Sequence, residues 1–226
     1  MGKLYSFGCS FSDVIFKNNN ILLYNYNQHK LYTELLAEKL KLELICNARP
    51  GRGNNTMIVD IASTNFENDS TIIIQLTFFY RLEFFIKAYN LKTLHFESPR
   101  IRPFTSATLE EWKTDMFINK KHIESYVNFV ETFYNIICFN DLYNIFNIIE
   151  DKKLKSKNCN FFVISAEPLN EKNFEKDKYL FDMISLNGFM NSHVYPNYSN
   201  NDPHLNELGN LNLFKNLYKI IYDTHK

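Results

Sequence analysis

Glycine and proline are scarce in this chain, with six of each among 226 residues, beside four cysteines and a single tryptophan. Cys9, Cys46, Cys138 and Cys159 are too sparse for a disulfide-built fold, and none makes a C-x-x-C pair. Neither a disulfide framework nor ordinary zinc spacing is encoded, so reduced thiols and no metal are expected. Neither sign of charge is in excess: 25 Lys and Arg balance 25 Asp and Glu. That balance removes the basic footprint of a nucleic-acid binder. No run approaches the ~18 apolar residues that span a membrane. The N-terminal apolar stretch is too short for the h-region of a signal peptide. The expectation is a soluble chain, cytoplasmic or without a recognisable signal peptide, with no nucleic-acid partner and no membrane insertion.

What is present is enough apolar sequence, 45% of residues, to build a large core without staples. Its order is informative. Residues 3–7 read as a strand, 28–41 as a helix, 43–46 as a strand, and a helix starts near Asn54 or Asn55, either of which can cap it. Residues 70–76 (STIIIQL) form a β-branched run apolar on both sides, as a helix-covered parallel strand requires. Residues 121–149 carry helical periodicity through Ile123, Val127, Val130, Phe133, Ile136 and Ile137. The polar stretch 150–160 reads as a loop with solvated lysines. Residues 161–165 read as a buried strand, 177–187 as a short helix, and 205–222 as a helix. This alternation predicts a single α/β domain over 1–226, a three-layer α/β/α fold with a mostly parallel sheet. An irregular or helical insertion is expected around 86–150. Ligands of such folds bind beyond the carboxyl ends of the strands.

Three loops there hold groups with chemistry. Gly8-Cys9-Ser10 follows the first strand, with Gly8 permitting a tight turn and Ser10 delivered to the crevice. A serine in such a turn more often caps than reacts. The second loop, Asn47 to Asn54, holds Gly51 and Gly53, whose N–H groups can approach a developing oxyanion. It lacks the spacing of a dinucleotide or Walker loop. The third is Asp202-Pro203-His204, just before the last helix. A nucleophilic hydroxyl needs a base in reach and a carboxylate to orient that base. Of the six histidines, His204 is the best placed and His193 is its rival.

These residues resemble the conserved blocks of the SGNH/GDSL hydrolases. Phe7-Gly8-Cys9-Ser10-Phe11-Ser12 is similar to the first block, in the Gly-Cys-Ser-Phe form of phage and bacterial members. Asn47-Ala48-Arg49-Pro50-Gly51-Arg52-Gly53-Asn54 is similar to the second, and Asp202, His204 and Gly209 to the last. The resemblance implies Ser10 as nucleophile, His204 as base and then acid, and Asp202 as orienting carboxylate. It implies oxyanion donors at the N–H groups of Ser10 and Gly51, with Gly53 as a fallback that contacts substrate. Two departures are visible. One residue separates Asp202 from His204 where the family has two. After the third strand the chain reads Gln75-Leu76-Thr77-Phe78-Phe79-Tyr80-Arg81-Leu82-Glu83 instead of Gly-x-Asn-Asp, leaving Thr77 or Asn54 to substitute as donor. Arg81 either braces this loop with Glu83 or contacts substrate.

The family implies a serine esterase without a cofactor, acting on a small ester or an O-acylated, above all O-acetylated, carbohydrate. A catalytically weak or inactive carbohydrate-binding or structural module is the alternative, as is an O-acyltransferase using the same serine. Phe96, Phe104, Trp112 and Tyr126 could stack on sugar faces, although core packing accounts for them more simply.

Overall fold

The computed structural model describes residues 2–14, 29–50, 52–79, 82–85, 101–104, 120–175, 177–191 and 204–224. Its centre is a five-stranded sheet of β1 (Lys3–Phe7), β2 (Glu43–Cys46), β3 (Thr71–Leu76), β6 (Asn160–Ser165) and β7 (Ile184–Asn187). The strand order is β2-β1-β3-β6-β7 and every pairing is parallel. β4 (Leu82–Phe85) and β5 (Ile101–Phe104) form a separate antiparallel pair.

Alternation along the strands divides the core. On one face Tyr5, Phe7, Ile72, Ile74, Leu76 and Val163 pack with Met57 and Ile61 of α2 (Asn54–Ser63). Cys138, Leu142, Ile145 and Ile149 of α3 (Lys120–Lys155) complete that layer, joined by Leu180 of the short α4 (Lys178–Asp182). On the other face Leu4, Ile73, Phe162 and Ile164 pack with Tyr32 and Leu36 of α1 (Tyr32–Leu40). Leu213, Leu217 and Ile221 of α5 (Glu207–Thr224) close it. The molecule is a three-layer α/β/α fold of the flavodoxin-like kind. Each fully buried Ile or Leu contributes about 1.5–3 kcal/mol, so β3, buried along its whole length, is its thermodynamic centre.

Several local expectations are corrected. β7 lies where only a short helix was expected; it is a four-residue, half-buried edge strand with a register irregularity at Val163/Ile164. Such a strand is too short to show a period. α3 runs on to Lys155, through the first half of the stretch expected to be a loop, and residues 156–159 form the loop. Pairs Lys153–Glu150 and Lys155–Asp151 support its last turns. Lys152 is not a solvated lysine. It is buried, and its ammonium donates to the carbonyls of Ala62 (2.7 Å) and Thr64 (2.6 Å) at the end of α2. Phe133 and Ile136 face outward, because the buried stripe of α3 runs through Cys138, Asp141, Leu142, Ile145 and Ile149. The N-cap of α2 is Gly53, and Asn54 is its first helical residue. β4 and β5 were not anticipated, and β5 falls inside the stretch expected to be an insertion. Among the described residues, no helix is long and apolar enough to cross a membrane.

Candidate active site

The strand order reverses direction beside β1, which lies between β2 and β3, and this is the point where doubly wound sheets open a crevice. Ser10 follows β1 and Thr77 follows β3 there. The chain turns sharply after Phe7, with the N–H of Ser12 donating to the carbonyl of Cys9 at 3.0 Å. The requirement for glycine at position 8 is spatial. A Cβ there would lie 2.7 Å from Gln75 Oε1 and 3.0 Å from Gln75 Cβ. The only positive-φ glycine among the described residues is Gly188, so Gly8 serves close approach and not a left-handed turn.

His204 arrives from the far end of the sequence, just before α5. Its Nε2 lies 2.7 Å from Ser10 Oγ, across 194 residues of sequence. Ser10 remains partly open to solvent. The imidazole leans on Phe11, with ring centres 5.1 Å apart, and Phe11 is packed edge-on against Phe78 and Phe189. Asn206 caps α5 by accepting from the N–H of Gly209 at 3.0 Å, which fixes the chain immediately after the histidine. Asp202, Gly51, Arg81 and the rival base His193 lie outside the described residues, as do Phe96 and Trp112.

The second loop is tied to the turn that carries Ser10. The N–H of Asn47 donates to Ser6 O (2.8 Å) and that of Arg49 to Gly8 O (3.1 Å). Buried Arg52 stiffens the loop from within. Its guanidinium donates to Asn47 O (2.9 Å), Thr56 O (3.0 Å) and the Asp60 carboxylate. Asp60 also meets Arg49 at 3.2 Å. Gly53, next in the chain, is held in extended conformation at φ −92°.

Asn54 and Thr77 are engaged with each other. Asn54 Oδ1 accepts from the N–H of Thr77 at 2.9 Å, and Asn54 Nδ2 donates to the buried carboxylate of Asp141 at 3.0 Å. Thr77 Oγ1 donates to Phe78 O at 3.4 Å. The Asn54 side chain, through the Thr77 N–H and the Asp141 carboxylate, clamps the end of β3 to α2 and α3. A substrate oxygen would have to displace these bonds to use them. Beyond β6, Glu167 Oε1 accepts from the N–H of Phe79 (3.1 Å) and from the Tyr134 hydroxyl (2.7 Å). Burial, then the bond to Glu167, raises the Tyr134 hydroxyl above its ordinary value. Burial likewise pushes the neighbouring Cys138 thiol up to about 12, so that thiol stays protonated and inert.

Gln75, Ser12, Tyr32 and Asn210 around the serine–histidine pair escaped the sequence reading. A signal existed for two of them. Gln75 stands alone among β-branched residues in a strand buried on both sides, and Asn210 falls on the buried face of α5 beside Leu213 and Leu217. A polar side chain in such a position must find partners, and those partners lie close to the site.

No protein-family model matches the chain, and no curated protein matches it.

Proposed function

We propose that this protein is a serine hydrolase of the SGNH/GDSL type that removes O-acyl groups, acetyl above all, from a carbohydrate or similar small ester. The observation that carries this reading is the 2.7 Å contact between Ser10 Oγ and His204 Nε2 at the carboxyl edge of the sheet. A hydroxyl held against an imidazole nitrogen is the unit that nucleophilic acyl transfer requires. In the proposed reaction, Ser10 Oγ attacks the acyl carbonyl while His204 Nε2 takes its proton. Asp202, by resemblance, holds the ring tautomer with its proton on Nδ1. The oxyanion accepts from the backbone N–H groups of Ser10 and Gly51. His204 then protonates the departing alcohol oxygen, leaving an acyl ester on Ser10. Water, deprotonated by His204, attacks that ester, and the carboxylic acid departs as the Ser10 hydroxyl re-forms.

A second reading has its own support. Asn54 and Thr77, the residues left to supply a third oxyanion donor, are engaged in the clamp. Loss of one donor costs about 10²–10³ in rate. A site so reduced suits slow turnover, or a carbohydrate-binding module without turnover. The discriminating assay incubates the protein with acetylated oligosaccharides and with p-nitrophenyl acetate, and follows free acetate. Acetate release that disappears in Ser10→Ala supports the hydrolase. Acetyl appearing on an added sugar alcohol would make the enzyme a transferase. Binding of the glycan with no release of either kind would establish the module.

A further inference from the structure

Between the turn that carries Ser10 and the helix that follows His204 run two sets of buried hydrogen bonds, joined through the Tyr32 residue itself. Gln75 Oε1 accepts from Ser12 Oγ at 2.8 Å, and Gln75 Nε2 donates to Leu76 O and to Cys9 Sγ, both at 3.3 Å. Ser12 Oγ meets the Tyr32 hydroxyl. The backbone N–H of Tyr32 donates to Asn210 Oδ1 at 3.0 Å. Asn210 Nδ2 donates in turn to Leu205 O (3.0 Å) and Asn206 O (3.1 Å). Ser12, Tyr32 and Gln75 are 0% exposed and Asn210 is 1% exposed.

The partners of this chain suit the following arrangement of protons. Both donated bonds of the Gln75 amide use Nε2, so Oε1 is the acceptor. The single proton of Ser12 goes to that oxygen, so Ser12 accepts from Tyr32. Burial raises the Tyr32 hydroxyl above its ordinary value, which keeps that donor in place. Asn210 uses its carbonyl on α1 and its amide on the segment just after His204. Turning over the Gln75 or the Asn210 amide would set a carbonyl oxygen against Leu76 O, or against Leu205 O and Asn206 O, and leave buried groups unmet.

The ends of the chain fall beside the reacting pair. Cys9 and Ser12 flank Ser10 on one side, and Leu205 is the neighbour of His204 on the other. Ser10 and His204 sit on segments anchored to different elements, and a relative shift of 1 Å would break a 2.7 Å contact.

We propose that Gln75, Ser12, Tyr32 and Asn210 are positioning residues that set the separation of Ser10 from His204 through this hydrogen-bonded bridge across α1. The proposal rests on the hydrolase reading of the site. A bridge that only satisfied buried polar groups would affect stability alone, whereas a positioning bridge governs the reactivity of Ser10.

The test compares wild type, Asn210→Leu and Tyr32→Phe, each verified as folded by circular dichroism and assayed well below its melting temperature. Tyr32→Phe removes one hydroxyl and keeps the ring, so it preserves the packing of α1 should Asn210→Leu fail to fold. Ser10 phosphonylation by a fluorophosphonate is resolved into kinact and KI, and the imidazole nitrogen resonances of His204 are recorded by NMR. The expected result is a fall in kinact of about 10- to 10²-fold with KI unchanged, together with displaced His204 resonances. Folded variants with wild-type kinact overturn the proposal, even if their melting temperatures drop. A wild type that is never labelled removes the hydrolase reading. The resonances then decide separately: unmoved in Tyr32→Phe, they overturn the bridge, and displaced, they support it.

Discussion

At the scale of the residue, the contact between Gly8 and Gln75 carries the most consequence. Gln75 Oε1 occupies the space a Cβ at position 8 would need, and its own Cβ closes the other side. Gly8→Ala therefore pushes the amide off its bonds to Ser12 and Leu76 in a packed interior. Overpacking of this kind costs about 1–3 kcal/mol. A urea titration should show a lowered midpoint, and the variant should phosphonylate at Ser10 more slowly than wild type. A midpoint equal to that of wild type would mean that the turn yields without cost. The glycine itself was legible in the sequence, but its reason was not. The pattern Gly-x-Ser suggested a turn conformation, while the structure assigns a close approach from a neighbouring strand. Partners 66 and 67 positions away, as Gln75 is from Cys9 and Gly8, leave no trace in local sequence. His204 was legible because an aspartate stands two positions before it and a helix follows.

At the scale of the element, the end of α2 shows how a polar run can mislead. The lysines near 152 read as a solvated loop, yet they continue α3, and one of them turns inward. Lys152 satisfies Ala62 O and Thr64 O, which the helix itself leaves open, and it brings a cation to the negative end of α2. Lys152→Met should destabilise the protein by about 1–3 kcal/mol, because two carbonyls lose their donor. Lys155→Met, at an exposed position, should stay within about 0.5 kcal/mol of wild type. Thermal melts of the two variants check the contrast, and equal shifts would contradict it. Periodicity located α1, α2 and α5 within a few residues because each carries an apolar stripe, and it ended α3 six residues short. It missed β7, whose four residues are half-buried on a sheet edge. It also assigned part of the wrong stripe to α3, where Phe133 and Ile136 look core-like yet face outward while Asp141 turns in.

At the scale of the whole molecule, alternation of strands and helices was enough to place the parallel sheet and its two covering layers. The β-branched run of β3 was its clearest sign. The polar bridge and the Asn54–Thr77–Asp141 clamp were not legible, since they join elements far apart in the chain. The buried phenols also give the molecule a defined alkaline limit. Burial raises both Tyr32 and Tyr134 above the ordinary tyrosine value of 10.0. The unfolded chain ionises near that value while the folded one keeps its protons. Their contribution is therefore complete below pH 10.0 and is lost as pH rises above it. Urea midpoints should be nearly level through neutrality and fall above about pH 10, less steeply in Tyr32→Phe than in wild type. Equal slopes for the two proteins would contradict the burial argument for Tyr32. The fold also brings Ser10 and His204 together from opposite ends of the sequence, and the most direct trial of that pair is chemical. Purified protein is treated with a fluorophosphonate probe and the labelled residue is located by mass spectrometry, alongside Ser10→Ala and His204→Ala. Labelling at Ser10 that is lost in both variants is the expected result and would establish an activated nucleophile. Folded wild-type protein that takes up no label would contradict it and leave the serine–histidine contact without a catalytic role.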